Sequence, residues 1–175
     1  MDKAPLAAGI VADNCPETGI DHCRRVVRMC QLAYDELGGW ANEISKLDHD
    51  TLICGAVLHD IGKYSPNGQR RQRDPEHTAK VDHSTAGAKA AADLDDMPAA
   101  FAIAGHHGGL PDLGTRLSLD DGTLCARLNK KLTGGDDPSA WRSEISLPTG
   151  VQPTPPWLPR NDARLTAMYI RMLFS

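Results

Sequence analysis

The sequence predicts an all-α fold. Three observations carry that reading. Apolar residues recur at three- and four-residue spacing in several stretches of the 175-residue chain, strand-like alternation is nearly absent, and candidate helices are opened by proline or closed by glycine pairs. From Asp21 to Leu37 the apolar positions are Val26, Val27, Cys30 and Ala33–Tyr34, and Gly38-Gly39 ends the pattern. A second helix, from about Asp50 to Gly62, has Ile53, Val57 and Ile61 at four-residue spacing. Residues 84–94 are rich in alanine, the best helix former. Pro98 suits a first helical turn and opens a helix that stops at Gly108-Gly109. Further helices are expected over about 119–132 and near 139–145. Five prolines between 146 and 160 exclude regular helix and mark a surface loop within the domain. Asn161 to Ser175 is amphipathic, with Leu165, Met168, Tyr169, Met172 and Leu173 at i, i+3, i+4, i+7 and i+8.

The length suits one domain, 1–175, with a sizeable core. A hydrophobic fraction of 41% is ordinary for a globular protein. Net charge is −4, so whole-chain charge gives no support for a nucleic-acid partner, and any such support must be local. The five cysteines are odd in number and form no C-x-x-C pair. That argues against a disulfide framework or a thiolate zinc site and for a reducing, cytoplasmic setting. Cys23, Cys30 and Cys54 fall in apolar stretches and are expected in the core. No signal peptide and no run of 18 apolar residues occurs, so no membrane role is expected.

The chemistry concentrates in Leu58-His59-Asp60-Ile61-Gly62-Lys63. A His-Asp doublet offers two metal-capable groups from adjacent positions. The carboxylate has two oxygens and can bridge two cations. Metals bridged roughly 3.5–4 Å apart are the standard apparatus of phosphoester hydrolysis. His22, His83, His106 and His107 complete a candidate set, each expected at a helix end or last turn where several helices can meet. Lys63, four residues after His59, would share its face if the helix lasts that long. Its ammonium would then point to where a scissile phosphate sits, although a lysine there can equally satisfy the helix dipole. Gly62 would let the chain leave the helix. Gly87 would either leave space beside His83 or serve plain packing. His49 is expected to be a capping or solvent-facing bystander, and His77 either a bystander or a contact to substrate. With five imidazoles the site suits Mn, Fe, Co, Ni or Zn better than Mg.

The stretch from Tyr64 to Asp82 is polar and basic, with Arg70, Arg71, Arg73 and Lys80 against Asp74 and Glu76, and Asn67-Gly68 reads as a turn. It is expected to be a loop leaving the site. It serves either as a solvated loop or as a guide for the phosphates of single-stranded DNA.

With these residues assembled, the chain resembles the HD nuclease domain of the type I CRISPR-associated helicase-nuclease. The likeness rests on the His59–Lys63 run, on Val81-Asp82-His83-Ser84-Thr85-Ala86-Gly87-Ala88, on Ala104-Gly105-His106-His107-Gly108-Gly109-Leu110-Pro111-Asp112, and on Arg171-Met172-Leu173-Phe174-Ser175. It implies an HD-domain helical bundle with a two-metal site that cuts single-stranded DNA. It implies that residues matching His22, His59 and Asp60 bind the first metal together with a late aspartate. By the same resemblance Asp60 would bridge to a second metal held by His83, His106 and His107, and Lys63 would lie near the reacting phosphate. The implied partners are a helicase, in the same chain or a separate one, and a CRISPR surveillance complex that hands over the displaced strand. The late aspartate follows the segment matching Arg171–Ser175, so the chain is expected to be part of a longer polypeptide and weak as a nuclease by itself. No Walker-type phosphate loop occurs. Two other readings stay open: an HD phosphohydrolase of small nucleotides, and a metal-poor docking fragment.

Overall fold

The computed structural model describes residues 10–12, 15–17, 19–36, 49–117, 120, 122–147 and 162–174. Apart from one small hairpin, its elements are helical. Strands β1 (Ile10–Ala12) and β2 (Cys15–Glu17) pair antiparallel, with Val11 opposite Pro16. Three-residue strands are too short to show an alternating pattern, which is why the sequence gives no hint of them.

Helix α1 spans Gly19–Glu36, as its apolar stripe predicts. Helix α2 spans His49–Leu58 and stops four residues earlier than expected. The amide of His59 still bonds the Gly55 carbonyl at 3.0 Å, but the chain then tightens into a 3₁₀ turn over Ile61–Tyr64. The cause is tertiary. A Cβ on Gly62 would lie 2.2 Å from the His83 carbonyl oxygen. Glycine is needed there for close backbone approach, so it does more than end a helix.

The first part of the expected basic loop is a helix, and residues 74–82 carry no regular structure. Helix α3 covers Pro66–Arg73, with Pro66 in its first turn and the Ser65 side chain accepting from the Gly68 amide at 3.0 Å. Asn67-Gly68 is the first turn of that helix and not a separate reversal. Gly68 is buried against the backbone of Gly62 and Lys63.

Helix α4 (Ser84–Asp93) and helix α5 (Met97–Gly105) form the most extensive helix pair. The two helices contribute Ala88, Ala91, Ala99, Ala100 and Ala104 to the buried core, small side chains that allow close packing. Asp96 caps α5 by accepting from the Ala99 amide at 3.0 Å. Gly87 reserves no space beside His83. A Cβ there would meet the Leu58 carbonyl oxygen at 2.2 Å, so α4 rests directly on the end of α2. Leu58, Ile61 and Leu124 are fully buried around this junction, each burial stabilising by roughly 1.5–3 kcal/mol.

Helix α6 (Leu124–Asn129) is shorter than the expected 119–132. Thr123 caps its start and Lys130 is already extended. The helix expected near 139–145 is a 3₁₀ turn, Ser139–Ser143, that buries Trp141. Helix α7 (Ala163–Phe174) starts after Asp162 and packs on α5, with Ile170 buried. The proline-rich segment from 148 and the side chains of the closing apolar stripe lie outside the described residues. Cys23 and Cys54 are buried as expected, whereas Cys30 is half-buried. Among the described residues, no helix is long and apolar enough to cross a membrane.

Candidate metal centre

The site forms where four helices end or begin. His59 and Asp60 occupy the turn between α2 and the 3₁₀ segment, His22 lies in the first turns of α1, His83 precedes α4, and His106-His107 follow α5. Every one of the six residues expected from the sequence to form the site is therefore brought to one place.

Asp60 is its centre and is 2% exposed. Its two oxygens divide the histidines. Oδ2 lies 3.1 Å from His22 Nε2 and 3.2 Å from His59 Nε2. Oδ1 lies 3.3 Å from His83 Nε2 and 3.6 Å from His106 Nε2. His107 joins the second group, with its Nε2 2.9 Å from His83 Nε2. Two clusters result, His22–His59–Asp60 and Asp60–His83–His106–His107. In each, the ligand atoms lie within 4.8 Å of one another.

Backbone carbonyls set the ring orientations. His59 Nδ1 lies 2.6 Å from Ala56 O, His106 Nδ1 lies 2.6 Å from Ile103 O, and His83 Nδ1 lies 3.3 Å from Val81 O. A carbonyl can only accept, so each Nδ1 carries the proton and each Nε2 presents a lone pair inward. Those lone pairs face a carboxylate that also can only accept. Such an arrangement is repulsive unless cations lie between the groups. The buried Oδ1 of Asp60 and Nε2 of His106 accordingly have no hydrogen-bond partner.

Charge states agree with this. Burial works against ionising Asp60, but the polar groups around it outweigh that cost and keep its carboxyl well below the usual carboxylate range. Burial pushes the His83 imidazole down to about 4 against the pull of Asp60, and burial also lowers His107. An ionised carboxylate beside imidazoles such as His83 and His107, whose charged form burial disfavours, is the kind of donor set that divalent ions require.

Lys63 departs from the expected geometry. Because the turn is 3₁₀, residues three apart align, and Lys63 is brought onto Asp60 instead of His59. Its ammonium donates to Asp60 Oδ2 at 2.6 Å.

The HD-domain profile matches residues 19–134, which contain all these groups. The chain belongs to the HD-domain family. No curated protein and no solved structure matches it. This HD domain is thus a metal-dependent phosphohydrolase whose His/Asp clusters could hold divalent ions.

The three arginines of α3 do not all line one cavity of the HD domain. Arg71 lines a cavity of about 550 Å³ that also exposes Lys63, His83 and His107. Its guanidinium donates to the carbonyls of Pro75 and Thr78, bracing the chain after α3. Arg70 lines a second cavity and also a third, which it shares with Arg73, Asp74 and Asp137. His77 is exposed and bonds Asp74 at 2.8 Å, so it lies away from Asp60. Arg127 was not foreseen. Its Nη1 donates to Ala104 O at 2.8 Å and to Ser84 Oγ at 3.3 Å, tying the elements that carry His106 and His83. A lone arginine in a short helix gives no sequence signal of that role.

Proposed function

We propose that this HD domain is a deoxyribonuclease that hydrolyses single-stranded DNA in type I CRISPR interference. The observation that carries the hydrolytic part is the division of five histidines between the two oxygens of one buried carboxylate. The DNA substrate, the helicase partner and the surveillance complex rest on the sequence resemblance. In this reading His22, His59 and Asp60 hold one ion, and Asp60, His83, His106 and His107 hold the other. Mn, Fe, Co, Ni or Zn fit the imidazole-rich set better than Mg.

Two bound divalent ions would supply an activated water and a clamp on the attacking and leaving oxygens. The chain's own groups do the rest. The backbone carbonyls at Ala56, Ile103 and Val81 keep the imidazole lone pairs facing inward. Lys63 is aimed at the centre and would orient a non-bridging phosphate oxygen. Water's oxygen forms the new bond to phosphorus as the bond to the leaving sugar oxygen breaks, and the leaving oxygen takes a proton.

A second reading, hydrolysis of small nucleotides, is favoured by the cavity of about 550 Å³ next to His83 and His107. That volume suits a single nucleotide. The deciding assay offers the metal-loaded protein end-labelled single-stranded DNA and, separately, mononucleotides. Strand cleavage supports the nuclease. Phosphate release from mononucleotides without strand cleavage replaces it with the second reading.

A further inference from the structure

We propose that two cavities beside the metal centre form one anion track, in which Lys80 and Arg70 hold phosphates that flank the scissile one. The substrate is then a strand of several nucleotides. This deepens the nuclease reading and rests on it.

The first cavity is the one that reaches His83 and His107. The second, about 490 Å³, lies beyond it and is lined by Arg70, His77 and Lys130 among others. Lys80, Val81 and Asp82 line both, so this strip is the ridge between them. Substrate leaving the metal centre across the ridge passes from one cavity into the next.

The charge along this path is cationic. The first cavity presents Lys63, Arg71, Lys80 and Arg127 against Asp82 alone. The second presents Arg70, Lys80 and Lys130 against Asp82 and Asp136. Both carboxylates are already engaged. Asp82 accepts from Thr85 Oγ1 at 2.7 Å and from Lys130 at 3.4 Å, and Asp136 accepts from Asn67 at 3.0 Å. Several cations are engaged too, Lys63 with Asp60, and Arg71 and Arg127 with carbonyls. Arg70 and Lys80 differ. Among the described residues their side chains form no hydrogen bond or ion pair, and both are exposed. Two uncommitted cations therefore stand along a path that begins at the metal centre. A mononucleotide needs one cavity of this size; the second, with its own cation, has no use unless more chain follows.

The test measures binding of fluorescent phosphorothioate thymidine strands, one to six nucleotides long, to the metal-loaded protein. Affinity should rise by roughly tenfold or more between one and about four nucleotides and then level. Lys80→Ala and Arg70→Ala should each weaken the longer strands several-fold. Each should also reduce the log–log salt slope by about 0.7, the value for one phosphate contact on a single strand. Arg73→Ala removes the same charge from the same helix, off the track, and should change neither. The proposal is overturned if one nucleotide binds as tightly as four, or if Arg73→Ala weakens binding as much as Arg70→Ala. If strands show the expected dependence but unmodified strands of the same lengths are not cut with any of the metals, the track stands and the nuclease reading falls.

Discussion

The two sides of Asp60 are built differently. On the Oδ1 side three imidazoles converge, and both Oδ1 and His106 Nε2 are buried without a hydrogen-bond partner. On the Oδ2 side two imidazoles converge and the Lys63 ammonium already sits 2.6 Å from the oxygen. On the first side Oδ1 and His106 Nε2 are left without a donor between them. The other carries a cation of its own. The Oδ1 side therefore depends on an external cation for its electrostatic balance, and the Oδ2 side depends on one less. A carboxylate shared between such unequal halves couples them. Whatever moves Asp60 disturbs both, while a change in one ring disturbs one.

The largest effect should come from removing the shared group. Asp60→Ala deletes an acceptor from both clusters and leaves Lys63 facing five imidazoles. Hydrolysis should fall by at least about a thousandfold, on the scale typical of losing a principal electrostatic group, and metal content should fall at both positions. Circular dichroism should still report a helical protein. Wild-type turnover in Asp60→Ala would end the bridging interpretation.

Single-ring changes should separate the halves. His106→Ala should lose the ion of the Oδ1 cluster, and His22→Ala should lose the ion of the Oδ2 cluster, each reducing bound metal by about one equivalent. The four-residue Oδ1 cluster should fill first as metal is added. Anomalous scattering on crystals grown with limiting metal reads the order directly. Strong occupancy beside His22 with none beside His106 would reverse the comparison.

Much of this contrast was legible in the sequence, because residue type and adjacency carry it. A histidine next to an aspartate, with histidines at other helix ends, needs no tertiary information to be singled out. The helices α1, α4 and α5 follow from periodicity, alanine content and flanking glycine or proline. What the sequence concealed was set by contacts across the chain. The early end of α2 comes from Gly62 lying on the His83 backbone, 21 positions away. That contact also turned Lys63 from His59 onto Asp60. Helix α3 has no apolar stripe in Pro66–Arg73. It is held by the Ser65 cap and by Gln69 donating to the Lys63 carbonyl at 2.8 Å. A charge run without periodicity reads as a loop, and reading it so merged Arg71, which the helix turns to the cavity beside His83, with Arg70 and Arg73, which share a cavity farther off. The hairpin at Ile10–Glu17 was too short to leave a pattern.

The smallest effect, and the sharpest test of the comparison, concerns Lys63. Its ammonium is a unit positive charge beside the oxygen that His22 and His59 face. A divalent ion entering that cluster meets this charge and must share Oδ2 with it. Lys63→Met keeps the length of the side chain and removes the charge. Affinity for the ion of the Oδ2 cluster should then rise several-fold, on the scale of a partly screened charge interaction. The Oδ1 cluster should change less, because its imidazoles face the other oxygen. Hydrolysis should fall at the same time, since the phosphate loses the ammonium that would orient it. Competitive titration with Mn and Zn at matched ionic strength separates the two affinities. Tighter binding together with slower turnover is the expected signature. Weaker metal binding in Lys63→Met would mean that the lysine fixes Asp60 in place for the ion instead of competing with it, and the two halves of the site would then differ in rigidity and not in charge.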